Sequence, residues 1–483
     1  MKYFYQKGLA IILSVLLITS LAACGGDNNT ATESTTASTT ATTTASDTEA
    51  ASEAAKTSAL SESDITINDT IENSTGGEHA ITADGESASY SNTKVVKTGD
   101  SSQNDEADFY GDNAAIFATD GATLDLSEMV IKTDGTHTNA VFSYGEGTTV
   151  NISNSYIETS GNCSGGLMTT GGGTMNATNL TINTSGRSSA AIRSDRGGGT
   201  VNVDGGSYTT SGTGSPVIYS TADITVSNAE LTSTASQGVV VEGKNSVTLN
   251  NVNLTADNNT KNSDKSDWYQ AVMIYQSMSG DAAQGTSSFT MNGGTLTNEN
   301  GDIFFVNNTA TDIYLTNATI INNDTDGYFL RAAAAGWGSE GSNGGQVSLY
   351  AKQQTINGDM LVDDVSHLNL YLSDSSVFNG AINSDGQAGE VYVELKDGAK
   401  WTLTGDSYIT SLTCDADSID LNGHKLYVNG EEYTTGTAST GEAIEVVSTG
   451  GGNGGPGGTP PDRPGDGNGP GSGGTPPAKP DGN

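Results

Sequence analysis

Apolar positions along this chain recur in one fixed pattern. Val150-Asn151-Ile152-Ser153-Asn154-Ser155-Tyr156-Ile157 returns as Met175 to Ile182, Val201 to Tyr208, Ile224 to Leu231 and Val247 to Leu254. Leu124 to Ile131 precedes it, and Phe289 to Leu296 and Ile313 to Ile320 follow. Successive starts from Leu124 to Val247 lie 26, 25, 26, 23 and 23 residues apart; the interval then rises to 42 at Phe289 and falls to 24 at Ile313. Within each repeat the first, third and eighth positions are apolar or aromatic, and the sixth is apolar or small. Two alternating pairs separated by one extra residue predict strand, corner, strand. The fifth position is Asn154, Asn179, Gly205, Asn228, Asn251, Gly293 or Asn317, with Glu128 as the exception. Asn and Gly tolerate the left-handed backbone that a sharp corner needs.

A second apolar stretch precedes each repeat: Ala140-Val141-Phe142, Gly166-Leu167-Met168, Ala190-Ala191-Ile192, Pro216-Val217-Ile218, Gly238 to Val241, Val272-Met273-Ile274 and Ile303-Phe304-Phe305. Each turn of about 25 residues thus carries two or three short strands and cannot bury its apolar side alone. Stacked turns about 4.8 Å apart share one core. The expected fold is all-β, a right-handed parallel β-helix over residues 61–449, the hand following from the preference of parallel crossovers. Sandwiches need hairpin signals and propellers a longer period, and neither is present. Beyond Ile320 the pattern loosens but persists in Val347-Ser348-Leu349, Leu368-Asn369-Leu370 and Val391-Tyr392-Val393.

The ends have another character. Lys2 and Lys7 precede an apolar run from Gly8 to Ala22, the layout of a secretory signal. Leu21-Ala22-Ala23-Cys24-Gly25-Gly26 follows directly and resembles the lipobox of bacterial lipoproteins. That resemblance implies a signal peptide over 1–23, lipidation of Cys24 and an extracytoplasmic chain anchored to the bacterial cell membrane. Residues 24–60 form a Thr/Ser/Ala-rich tract with almost no large apolar side chain, expected to be a disordered spacer. From 450 to 483 Gly and Pro dominate, and Gly457 to Pro461 returns as Gly473 to Pro477, which reads as a flexible tail.

Charge and cysteine content narrow the partners. The formal net charge is −38, and losing Lys2 and Lys7 deepens it. Such a surface repels nucleic acid and anionic headgroups. Cys163 and Cys414 are separated by about ten coils, on the order of 45 Å, far beyond the ~7 Å reach of a disulfide between them, so both are expected as buried thiols. The body is expected to be monomeric.

Trp401-Thr402-Leu403-Thr404-Gly405-Asp406-Ser407 resembles the last passenger coils of pertactin-type autotransporter adhesins, which implies a closing role for this end of the rod. The repeat region as a whole resembles the pectin-lyase-like β-helix superfamily, and more closely adhesin-like surface lipoproteins with this fold. A carbohydrate-binding β-helix family is a further resemblance. These imply contact with polysaccharide or a host surface without fixing a reaction.

Candidate chemistry follows from register. The position after each second-strand apolar pair gives Ser143, Thr169, Arg193, Tyr219, Glu242 and Tyr275. Stacked outward, Arg193, Tyr219, Glu242 and Tyr275 form a column suited to hold a sugar chain; the plainer reading is a solvated face with an ordinary ion pair at Arg193. Two insertions break the period, Asp257 to Tyr269 with Trp268 and Ala332 to Gly345 with Trp337. An exposed Trp on a long loop favours sugar stacking, whereas a packed one is part of the rod. Asp105, Glu106, Asp108 and Asp112 form a dense acidic loop, a candidate for calcium or simply solvated acids. The four histidines are scattered, which argues against zinc.

Three readings of function stand: an adhesive or polysaccharide-binding surface lipoprotein, a polysaccharide lyase or glycoside hydrolase, and a structural cell-wall stalk. Palmitate labelling is expected to mark the chain, and Cys24→Ser to abolish the label and move the protein from the membrane to the soluble fraction. A Cys24→Ser chain that still labels contradicts the anchor.

Overall fold

The computed structural model describes residues 59–386 and 389–446. The expected signal peptide, Cys24, almost all of the polar tract before residue 60 and the tail from 450 lie outside them.

The alternation of inward apolar and outward polar residues lets one backbone stack on the next, and the chain winds into parallel coils of up to three short strands. One coil contributes Thr149–Ser153, Tyr156–Thr159 and Leu167–Thr170. First and second strands belong to one 21-stranded sheet, because Gly173–Thr184 and Gly199–Thr210 run unbroken through the corner between them. The third strands form a separate 11-stranded sheet from Ile81–Asp84 to Met360–Val362. This is a parallel β-helix. Its register is the one read from the repeats: Leu124, Val150, Met175, Val201, Ile224, Val247, Phe289 and Ile313 pair in succession. Leu349, Leu370 and Val393 continue the column. These side chains are fully buried or nearly so, each contributing about 1.5–3 kcal/mol relative to exposure.

The corner column holds throughout. Asn154, Asn179, Asn228 and Asn251 have φ of 48°, 52°, 55° and 54°, and Gly205 has 72°. A left-handed conformation costs an ordinary L-residue roughly 1–2 kcal/mol. Ladder hydrogen bonds offset part of that cost: Asn179 Nδ2 donates to Asn154 Oδ1 at 2.8 Å, and Asn251 Nδ2 to Asn228 Oδ1 at 3.1 Å. Glu128, the exception by residue type, also adopts φ 52°, and its carboxylate accepts from Asn92 Nδ2 at 2.6 Å.

A second left-handed column carried no single-residue signature. His137, Cys163, Ser188 and Gly214 occupy it, with φ of 57°, 55°, 53° and 65°. Around it Gly135, Gly161, Gly186 and Gly212 lie against one another, and a Cβ on Gly186 would overlap the carbonyl oxygen of Gly161. Buried serines bridge the coils here: Ser164 N donates to Ser189 Oγ, and Ser189 N to Ser215 Oγ, both at 2.9 Å.

At the far end, Trp401 is fully buried, stacks on Phe378 with centroids 5.5 Å apart and donates from Nε1 to Gly380 O at 2.9 Å. Leu426–Val428 then pairs antiparallel with Glu431–Glu432. That antiparallel turn covers the edge of Leu426–Val428 against extension by another chain.

Gly186→Ala forces this overlap between coils. Expected is a loss of about 1–3 kcal/mol of stability, read as a lowered thermal midpoint. An unchanged midpoint would contradict the close stacking of the glycine column.

Candidate functional site

The third strands bury side chains on both faces. Val141, Leu167, Ile192, Ile218, Val239 and Val272 pair in succession and point into the coil. Phe142, Met168, Arg193, Tyr219, Val240, Met273, Phe305 and Arg331 form the next column and point away from it. Glu242 stands two residues beyond Val240 and pairs with Tyr275. The expected single column is therefore two columns. Tyr219 is in register with Val240, and Glu242 is its diagonal neighbour. A run that is apolar on both faces carries no period-two signal, so its register could not be read.

The outward direction is right, but the exposure is not. Arg193 and Tyr219 are 3% and 7% exposed, and Glu242 and Tyr275 are fully buried. Excursions at the corners on both sides of this face fold over it as a second layer. The helix Asn104–Tyr110 comes from one corner and packs over Phe117, Phe142, Tyr144 and Met168 through Tyr110. The insertions 257–269 and 333–344 cover Tyr219, Val240, Met273, Tyr275 and Phe305 with Trp268 and Trp337. Segment 276–285 closes the middle, held by Arg196, whose Nε and Nη2 donate to Asp281 Oδ1 at 2.9 and 2.7 Å. The Arg196 guanidinium also lies 3.8 Å from the Phe109 ring centre, which ties strap to helix.

Beneath the strap sits a buried polar network. Arg193 Nη2 donates to Asp195 Oδ2 at 2.8 Å, while Arg193 Nη1 has no partner. Tyr219 donates to Glu242 Oε2, as does Tyr275 at 3.1 Å. Burial works against the charge on Arg193, but Asp195 and Asp108 outweigh it and hold the guanidinium above its usual range. Burial pushes Asp195 up to about 6 against the pull of Arg193, with Asp281 and Asp108 adding to it. Burial pushes Glu242 up to about 7, against the hydroxyls of Ser277 and Tyr219 and with the help of Asp195 and Asp281. Both tyrosines are driven upward, first by burial and then by Glu242.

The acidic group is divided between a helix and its end. Glu106 and Asp108 lie on the helix, and Asp112 follows its end, where Asp112 N donates to Glu106 O at 3.2 Å. The Asp105 side chain lies outside the described ones. Asp108 turns inward, 3% exposed, to His137 Nδ1 at 2.9 Å. Among the described residues the one close set of metal-ligand types is Asp108, His137 and Cys163. Cys163 and Cys414 are both buried, and Cys414 is a free thiol.

The two tryptophan insertions meet. Gly336 N donates to Lys265 O at 2.7 Å, and Lys265 Nζ to Gly336 O at 3.0 Å. Trp337 is 2% exposed and packs edge-on to Tyr275 at 5.2 Å. Trp268 is half-buried, edge-on to Phe305 at 5.5 Å, with the Arg331 guanidinium 4.6 Å from its ring. Neither is the freely exposed platform that sugar stacking would favour. Instead they wall a small cleft of about 50 Å³ whose polar lining includes Gln237, Asn258, Lys261, Asn262 and Gln270. The insertion flagged this place in the sequence, but nothing marked Gln270 as part of it.

A second feature escaped the sequence reading. Tyr314, Tyr350 and Tyr371 occupy one outward column and stack at 4.9 and 4.8 Å. Their recurrence between inward apolar residues was the available signal. The rings cover one another's faces, so the ladder mainly strengthens the stacking of coils.

The buried carboxyls give stability a pH dependence. Glu242 is raised from 4.5 to about 7 and Asp195 from 3.8 to about 6. Below the lower values folded and unfolded chains are both protonated. Between the lower and upper values the unfolded chain releases protons that the fold retains, so stability falls as pH rises. The thermal midpoint is expected to drop between pH 5 and pH 8, and Glu242→Gln to shrink that drop. An equal drop in wild type and variant contradicts the assignment.

No protein-family model, curated protein or solved structure matches the chain, so its own geometry has to carry the functional argument.

Proposed function

We propose that this chain is an extracytoplasmic surface protein, anchored through lipid on Cys24, whose rod presents one loop-covered face for binding polysaccharide. The lipobox-like Leu21-Ala22-Ala23-Cys24 supports the anchor, and the polar tract after it supports a spacer between membrane and rod. The observation that carries the binding reading is the joining of the two Trp-bearing insertions over a single face, where they frame a polar cleft beside Trp268. Among the described residues the segments 104–110, 257–269 and 333–344 all lie over this face, which favours it as the binding side. Long loops on a regular scaffold are where recognition residues collect.

The raised pKa of Glu242 favours an enzyme as the second reading, because an acid near 7 suits proton transfer. Geometry weighs against it. A general acid must come within about 2.6–3.2 Å of its substrate atom, directly or through one water. Glu242 and Asp195 are fully buried, and their bonds go to tyrosines and an arginine of the same chain.

Affinity electrophoresis of the protein in gels cast with soluble polysaccharides tests both readings. Retardation without release of reducing sugar or unsaturated product is expected, and Trp268→Ala should weaken it severalfold. Product release would favour the enzyme. Migration unaffected by any polysaccharide would leave a structural stalk.

A further inference from the structure

We infer that segment 276–285 is a proton-controlled strap, closed over Tyr219, Glu242 and Tyr275 while Glu242 is protonated and released as that carboxyl ionises. This goes beyond the polysaccharide-binding reading and stands without it.

Charge pairing singles out Glu242. The carboxyl side chains of Asp108, Asp195, Glu242 and Asp281 are all buried beneath or within the covering layer. Three of them have a basic partner. Asp195 lies 2.8 Å from Arg193 Nη2, Asp281 2.7 Å from Arg196 Nη2 and Asp108 2.9 Å from His137 Nδ1. Glu242 has none among the described residues. Its partners are hydroxyls, those of Tyr219 and Tyr275 on the neighbouring strands and of Ser277 on the strap. Asp195 and the strap's own Asp281 add to burial in opposing its charge. Lys244, two residues on, and Glu340 of the insertion over Tyr275 are exposed. An ionised Glu242 under a closed strap would therefore be stripped of water with no counter-charge.

The strap itself is held mainly by polar contacts. Ala282 is buried, but Met278 is 37% exposed. The remaining hold is Ser277 to Glu242, Arg196 to Asp281, and Lys244 N donating to Ala283 O at 2.9 Å. Gly280 has φ 81° and open space around it. A segment with few buried apolar contacts opens locally, apart from the rod. Opening hydrates Glu242, so ionisation and opening favour each other. Covered, this carboxyl titrates at about 7, against 4.5 in water. Below the lower value both forms keep the proton. Between the two the open form releases it, so opening grows up to about tenfold per pH unit and levels off above the upper value.

Hydrogen–deuterium exchange of the whole chain from residue 24, made soluble by Cys24→Ser, tests this at pH 5, 6, 7 and 8, with rates corrected for intrinsic exchange. Exchange in 276–285 and at Lys244 N is expected to rise about tenfold per unit from pH 5 to 7 and then level off. The core strand Gly345–Lys352 should stay many-fold slower at every pH. Glu242→Gln should remove most of the rise. Ser277→Ala lies in the strap, outside the coil strands, so it reports even if Glu242→Gln melts early; strap exchange at pH 5 should be about fivefold faster with the core strand unchanged. An equal rise in Glu242→Gln overturns that carboxyl as the trigger. Strap exchange unaltered by Ser277→Ala overturns the contact that closes it. Strap and core strand exchanging at one common rate overturns local opening.

Discussion

Everything in this molecule depends on each coil meeting the next in strict register, and that depends on two corners bending the same way every time. Asn154, Asn179, Gly205, Asn228 and Asn251 place one left-handed residue at the first corner of successive coils. His137, Cys163, Ser188 and Gly214 do so at another. The backbone can then hydrogen-bond coil to coil, and the inward residues Val150, Met175 and Val201 fall into one continuous core. A slip of one residue would turn every inward side chain to solvent. The asparagine ladders and the glycine column both oppose such a slip, the first through side-chain hydrogen bonds and the second because no Cβ fits between the backbones.

The third face shows what happens when the outward side of a strand is also apolar. Phe142, Met168, Val240, Met273 and Phe305 would form a long exposed stripe on a bare rod. The helix at 104–110 and the segments 257–269, 276–285 and 333–344 cover it. Covering that stripe also takes Arg193, Asp195, Tyr219, Glu242 and Tyr275 out of water. Burial disfavours the charged carboxylate, which is why Glu242 and Asp195 are displaced upward, Asp195 despite its ion pair with Arg193. The same covering segments join across the face and leave a small polar cleft beside Trp268.

The fold was legible because its signal is periodic. The inward positions and the Asn/Gly corner follow from spacing, and even Glu128 proved to be a corner residue in the left-handed conformation. The second corner was not legible, since a histidine, a cysteine, a serine and a glycine share it through their backbone alone. The site was legible only as a neighbourhood. Arg193, Tyr219, Glu242 and Tyr275 do come together, but Val239-Val240-Val241 hid the register and nothing local announced the covering layer. Asp108 read as part of an acidic loop because its partner, His137, lies 29 residues away in sequence. Gln270 was not legible as a cleft residue because the tryptophans that wall the cleft come from two separate insertions.

The covering segments close the third face and leave the loops above it as the proposed binding surface. Hydroxyl-radical footprinting read by mass spectrometry tests this most directly, residue by residue. Tyr219, Tyr275 and Trp337 should be protected, while Tyr314, which is 38% exposed, should be modified readily. Modification of Tyr219 and Tyr275 at the rate of Tyr314 would contradict the account and return them to an open face.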